Sequence, residues 1–203
     1  MLIKAVGTLH DRLIFQRRIQ VLSQMIGKLL PESGTVLDIG AGDGQIATLL
    51  KKIRPGIEVE GIDVYVRGET HVPVHEFDGL HIPLDDKSVD AAIFVDVLHH
   101  ADDPQQLLRE ARRVSREAVI IKDHLSENAL DFAVLRAMDW VGNAPHGVVL
   151  PYNYKSSAEW NRQFQASGLR IDTYETRVPL YPVPLSFVFG RKLHFIARLR
   201  PTA

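Results

Sequence analysis

Apolar positions along this chain alternate between two rhythms. From His10 to Leu30, residues Leu13, Ile14, Ile19, Leu22, Met25, Ile26, Leu29 and Leu30 recur at the three-to-four spacing of one helical face, and Pro31 to Gly34 ends the run. Stretches rich in Val, Ile and Ala follow at Thr35 to Ile39, Ile57 to Val64, Val74 to Phe77, Val89 to Val97 and Ala118 to Lys122. Such continuous apolar runs suit parallel strands buried on both faces. Helical patterns lie between most of them. Asp103-Pro104-Gln105-Gln106 places an acid at the cap, proline first and glutamine third, opening a helix to about Ser115. Leu130 to Val141 forms an amphipathic stripe, and Ser156-Ser157-Ala158-Glu159 is a capping box for a helix ending at Gly168. Strands at Leu169 to Thr176 and Lys192 to Leu199 close the chain. The alternation predicts an α/β fold, a doubly wound, mostly parallel sheet with helices on both faces and ligands outside the carboxyl ends of the strands. Only Tyr65 to Pro73 separate the second and third strands, too few residues for a full crossover helix, so that helix is expected to be lost or irregular.

The first strand runs into Asp38-Ile39-Gly40-Ala41-Gly42-Asp43-Gly44, with glycine at every second position. Glycines there let a strand turn sharply into the helix at Gln45 to Lys52 and let a ligand touch bare backbone, so Gly40, Ala41, Gly42 and Gly44 form a nucleotide-type cradle. The pattern is D-x-G-x-G-x-G rather than the dinucleotide G-x-G-x-x-G, and an acid beside the turn would repel a pyrophosphate. A carboxylate at Asp38 instead suits a ligand with positive charge, and S-adenosylmethionine (SAM) carries a sulfonium and an ammonium. Asp38 could alternatively cap the helix or bond to the turn. Asp63, about twenty residues further on at the end of the second strand, is placed to accept both ribose hydroxyls, a feature that SAM and NAD share.

In these motifs and their order the chain resembles the class I SAM-dependent methyltransferases, in particular the broad group that includes ubiquinone and menaquinone biosynthesis enzymes. The resemblance implies a seven-stranded Rossmann-like sheet whose last strand is antiparallel. It implies that Asp78, after the third strand, accepts the adenine amino group while the amide of Gly79 meets a ring nitrogen, with Val64 or Leu80 covering the ring. An Asp-Gly pair also favours a turn without any ligand. By the same likeness, Val95, Asp96 and His99 back the methionine part of SAM, and the insertion at 126–156 lies over the acceptor pocket. The fourth strand lacks the Asn/Asp-Pro-Pro-aromatic signature of adenine and glutamine methyltransferases, which favours a small-molecule acceptor.

Composition narrows the field. The 203 residues, 45% hydrophobic, suffice for one domain, so 1–203 is read as a single SAM-dependent methyltransferase domain. A net charge of -1 provides no global field to gather phosphates, and no nucleic-acid partner is expected. The absence of cysteine rules out thiolate metal sites and a cysteine nucleophile. The first residues lack the apolar core of a signal peptide, no run is long enough to span a bilayer, and a cytoplasmic location is expected.

An acceptor that must lose a proton needs a base, and histidine suits that task. His99 is the first candidate, ahead of His100, His124 and His146, although a Leu-His-His run at a strand end can simply bond to backbone. His99, His100, Asp102, Asp123 and His124 could surround a divalent ion, but none stands at a recognised ligand spacing, and no metal is expected. Trp140, Tyr152 and Tyr154 either sandwich the acceptor or pack the lid, and Arg67, Arg136 and Lys155 are cations available to an acidic acceptor. Two further readings stay open: a SAM-binding regulatory or scaffold protein without turnover, and an NAD-dependent oxidoreductase.

Overall fold

The computed structural model describes residues 2–143, 152–183, 186–189 and 192–202. Helix α1 (Leu2–Gly27) leads into β1 (Ser33–Ile39), α2 (Gln45–Ile53), β2 (Gly56–Asp63), β3 (Val74–Glu76) and β4 (Val89–Val95). Then come α3 (Pro104–Val114), β5 (Ser115–His124), α4 (Ala129–Asn143), α5 (Ser157–Ala166), β6 (Leu169–Glu175), the single turn α6 (Ser186–Phe189) and β7 (His194–Pro201). They form a seven-stranded sheet in the order β3-β2-β1-β4-β5-β7-β6. The pairs from β3 across to β5 are parallel, and β7 runs antiparallel to both β5 and β6. After β3 the chain crosses from one side of β1 to β4 on the other, so the crevice outside the carboxyl ends of β1 and β4 is the switch point where such sheets bind ligands.

Apolar cores cover both faces of the sheet. On one, Leu22 and Ile26 of α1 and Ala47 and Leu50 of α2 pack on Val36, Val59 and Ile93. On the other, Leu107, Leu108 and Ala111 of α3 and Trp160 and Phe164 of α5 pack on Ile39, Phe94 and Ile121. Local chemistry sets the helix starts. Asp103 accepts the Gln106 amide at 2.9 Å with Pro104 in the first helical position, and Ser156 and Glu159 complete their reciprocal capping box.

Several boundaries differ from expectation. The backbone of α1 is helical from Leu2 and ends at Gly27, where the amides of Leu29 and Leu30 turn back onto the Ile26 carbonyl. Strand β5 begins at Ser115, which pairs with Val89. Strand β4 stops at Val95 rather than Val97, because Asp96 adopts a left-handed backbone (φ 58°) that breaks the ladder. Residues 65–73 run as bends without a helix. Among the described residues, no helix is long and apolar enough to cross a membrane.

Candidate functional site

At the end of β1 the three glycines take positive φ, 74° at Gly40, 60° at Gly42 and 77° at Gly44, which any side chain would strain. The Gly40 and Ala41 amides bond to the Ile62 carbonyl, fixing the turn against β2. A Cβ on Gly40 would come within 2.5 Å of Val97, whereas one on Gly42 would meet nothing nearer than the Arg67 guanidinium at 3.5 Å. Gly42 is therefore the least crowded of the three, covered by the far end of the exposed Arg67 side chain. Asp63 holds the turn there, accepting the Gly42 amide at 2.8 Å through one oxygen and the Tyr65 amide at 3.1 Å through the other.

Asp38 sits behind the same turn, 3% exposed, and among the described residues no hydrogen bond or ion pair reaches its carboxylate. It does not cap α2: Gly44 occupies the N-cap position and no side chain bonds there. Burial, reinforced by the charge of Asp63, pushes its pKa up to about 7. A buried acid left without a partner behind the glycine turn would suit the ammonium group of SAM, which would restore its ionised form.

Asp78 fills the turn role. Its Oδ1 accepts the Leu80 and His81 amides, both at 2.7 Å, and its Oδ2 lies 2.9 Å from His81 Nδ1. These bonds, those from His81 foremost, hold its pKa down at about 2. An adenine amino group there would share Oδ2 with His81. Val64, 59% exposed, lies where a Cβ on Gly79 would meet it at 3.0 Å, so the two pack side by side.

At the ends of β4 and β5 the structure gathers residues far apart in sequence. Val95 is the last residue of β4, and the Asp96 carboxylate beyond it bonds to Arg18 of α1 and to Lys122 of β5. Lys122 is fully buried. Burial opposes the charge on Asp96, but Lys122 and Arg18 prevail and hold its pKa well below the usual value. The carboxylate of Asp96 is thereby engaged within the fold by two cations.

His99 is 1% exposed and donates through Nδ1 to Asp123 Oδ1 at 2.7 Å. Asp123 also accepts the amides of Leu98 (3.1 Å) and His124 (2.7 Å), so three donors lock it in place. Although burial works against the imidazolium, Asp123 outweighs it and raises the pKa of His99. His99 Nε2 is buried without a hydrogen bond, as is His100 Nδ1, and Asp139 Oδ2 of α4 lies 3.7 Å from His99 Nε2. Tyr154 donates to Asp139, and its ring stands 5.9 Å from that of His99.

Asp102 is exposed and stands apart from this group, and His146 lies outside the described residues. Of the aromatic residues expected over the acceptor, Tyr154 faces the histidines, while Tyr152 and the 63% exposed Trp140 line a groove of about 420 Å³ with Arg136. Arg136 lies over the Tyr152 ring, and Lys155 over that of Trp160. Sequence reasoning missed Lys122, Asp139 and Arg18. A lysine inside the apolar run Ala118 to Lys122 was the available signal for the first, and the i, i+4, i+8 alignment of Asp131, Leu135 and Asp139 for the second.

Residues 10–174 match the family described as methyltransferase domain. Among curated proteins, a Streptomyces fradiae protein described as "Uncharacterized 37.1 kDa protein in transposon TN4556" is 39% identical over 93 residues, 40% of this chain and 27% of that one. A demethylmenaquinone methyltransferase of Thermotoga maritima is 28% identical over 154 residues, 68% of this chain and 66% of that one. The chain thus spans less than two thirds of the length of either relative. Among solved structures, a chain of the complex between the Haloferax volcanii Trm112 methyltransferase activator and its methyltransferase superposes with a TM-score of 0.70 at 18% identity, covering 95% of this chain and 93% of that one. A SAM-dependent methyltransferase from Thermotoga maritima gives 0.67 at 20% identity, covering 98% and 96%. The matched span contains the strand-end acids, the glycine turn and the switch-point crevice, and the chain belongs to the methyltransferase domain family.

Proposed function

We propose that this domain transfers the methyl group of SAM to a small-molecule acceptor that enters between the carboxyl ends of β4 and β5 and the segment from α4 to Tyr154. The observation that carries the reading is Asp38, a buried acid without an internal partner behind the glycine turn at Gly42. When bound, SAM supplies a methyl carbon bonded to a positively charged sulfur and open to in-line attack by an acceptor lone pair. The residues contribute placement and the exclusion of water. Asp38 draws the ammonium group, Asp63 accepts the ribose hydroxyls with the lone pairs its two amide bonds leave free, and Asp78 and Gly79 take the adenine edge. Val95 and the backbone of Asp96 wall the methionine arm. Tyr154, Tyr152 and Trp140 favour a planar or apolar acceptor.

A screen of labelled-methyl transfer from SAM into a metabolite extract should give a labelled small molecule. SAM binding without any labelled product would favour a regulatory role, and saturable binding of NAD without SAM would favour the oxidoreductase. Asp63→Ala should weaken SAM binding tenfold or more in calorimetry. Asp172→Ala should leave it unchanged, since Asp172 pairs with Arg198 and Arg200 on the far side of the sheet. Equal losses would refute the ribose assignment.

A further inference from the structure

We infer that His99 Nε2, His100 Nδ1 and the Asp139 carboxylate form a site for one divalent first-row transition-metal cation, with Zn²⁺ as its natural probe. One ligand atom from each of His99, His100 and Asp139 lies within 4.8 Å of the other two. Points so spaced share a centre no more than about 2.8 Å from each, against about 2.0 to 2.2 Å for zinc bonds to imidazole and carboxylate, so small side-chain movements close the site.

Three observations point to a ligand here. His99 Nε2 and His100 Nδ1 are buried without a hydrogen bond, and Asp139 Oδ2, 3.7 Å from the first, stands too far to accept one. Asp123 accepts a hydrogen bond from Nδ1–H of His99, so that in the neutral ring the lone pair lies on Nε2, the carboxylate–histidine arrangement that orients metal ligands. The Tyr154 hydroxyl in turn orients Asp139. A nearby alternative of Asp96, His99, Asp123 and His124 meets the same distance limit but is disfavoured, because Lys122 and Arg18 already neutralise Asp96 and the Nδ1 of His99 is engaged. Two histidines and one carboxylate leave coordination positions open, and an oxygen or nitrogen of the acceptor is the group such an ion would orient. Nε2 of His99 then serves as a ligand instead of the proton acceptor expected from the sequence. That use rests on the methyl-transfer reading, whereas ion binding does not.

The test is calorimetric titration of the chelator-treated full chain with Zn²⁺, with metal content read by mass spectrometry. One ion per chain is expected. His100→Ala and Asp139→Ala should each weaken binding at least a hundredfold, and Asp123→Asn ten- to a hundredfold. His75→Ala, in exposed β3, should change nothing. X-ray absorption of the zinc-loaded wild type should show two imidazoles, which keeps the test decisive if a variant fails to fold. Absence of saturable binding, binding undiminished in both ligand variants, or a zinc shell without imidazole would overturn the site. Titration with SAM in parallel separates the two readings, since zinc binding without SAM binding defeats methyl transfer alone and the reverse defeats the ion site alone.

Discussion

At the scale of single residues, the ligand-free cradle is held in a state that its guest would relieve. Asp38 has a folded-state pKa of about 7, against 3.8 for an unburied aspartate, with burial as the main cause. A raised acid contributes stability that is fully present below about pH 4 and is lost as pH climbs through 7, to the extent of about 4 kcal/mol. Asp38→Asn should therefore raise the melting temperature of the ligand-free protein at pH 8 while weakening SAM binding more than tenfold. In the wild type, SAM affinity should fall as pH drops below 7, because protonation removes the charge that attracts the ammonium. Scanning calorimetry and titration at pH 6 and 8 check both. A variant no more stable than wild type at pH 8 would mean that Asp38 ionises freely in the empty cradle.

At the scale of elements, the segment after β5 is anchored where it rejoins the fold. The Ser126 amide bonds to the Lys155 carbonyl, and the Ser157 amide to the carboxylate of Glu127, so the segment between them is tied off at its base. Directly beyond, the capping box of Ser156 and Glu159 starts α5, whose Trp160 is fully buried and donates to the His124 carbonyl at 3.0 Å. The end of β5, which carries Asp123, is thus linked to the start of α5. Ser156→Ala should cost about 1 kcal/mol of unfolding free energy in urea titration, the usual worth of such a cap. A loss below a few tenths would show that tertiary packing alone sets the start of α5.

At the scale of the whole molecule, the strand order brings β1 and β4 side by side, so the strand that carries Asp38 and the one that leads to His99 end on the same crevice. A ligand filling the crevice bridges β1, β2 and β4, and the complete domain should resist unfolding when it binds. SAM at about a hundred times its dissociation constant should add about 2.7 kcal/mol, seen as a rise in melting temperature that NAD at equal concentration does not reproduce. Protection by NAD and none by SAM would reverse the assignment of the cradle.

Much of this was legible along the chain because it depends on neighbours in sequence. Glycine at every second position after Asp38 dictates a tight turn whatever surrounds it, and the caps at Asp103 and Ser156 form from residues three apart. Even the missing helix between β2 and β3 follows from too few residues to build one. Spacing could not reveal that Lys122 and Arg18 neutralise Asp96, nor that Asp139 approaches His99, since these contacts join α1, β4, β5 and α4. Local periodicity selects helix or strand through backbone geometry and the burial of one face. Which charged side chains meet is decided only when the sheet orders its strands and the helices pack on it, because that packing sets both their distances and the burial that makes an unpaired charge costly.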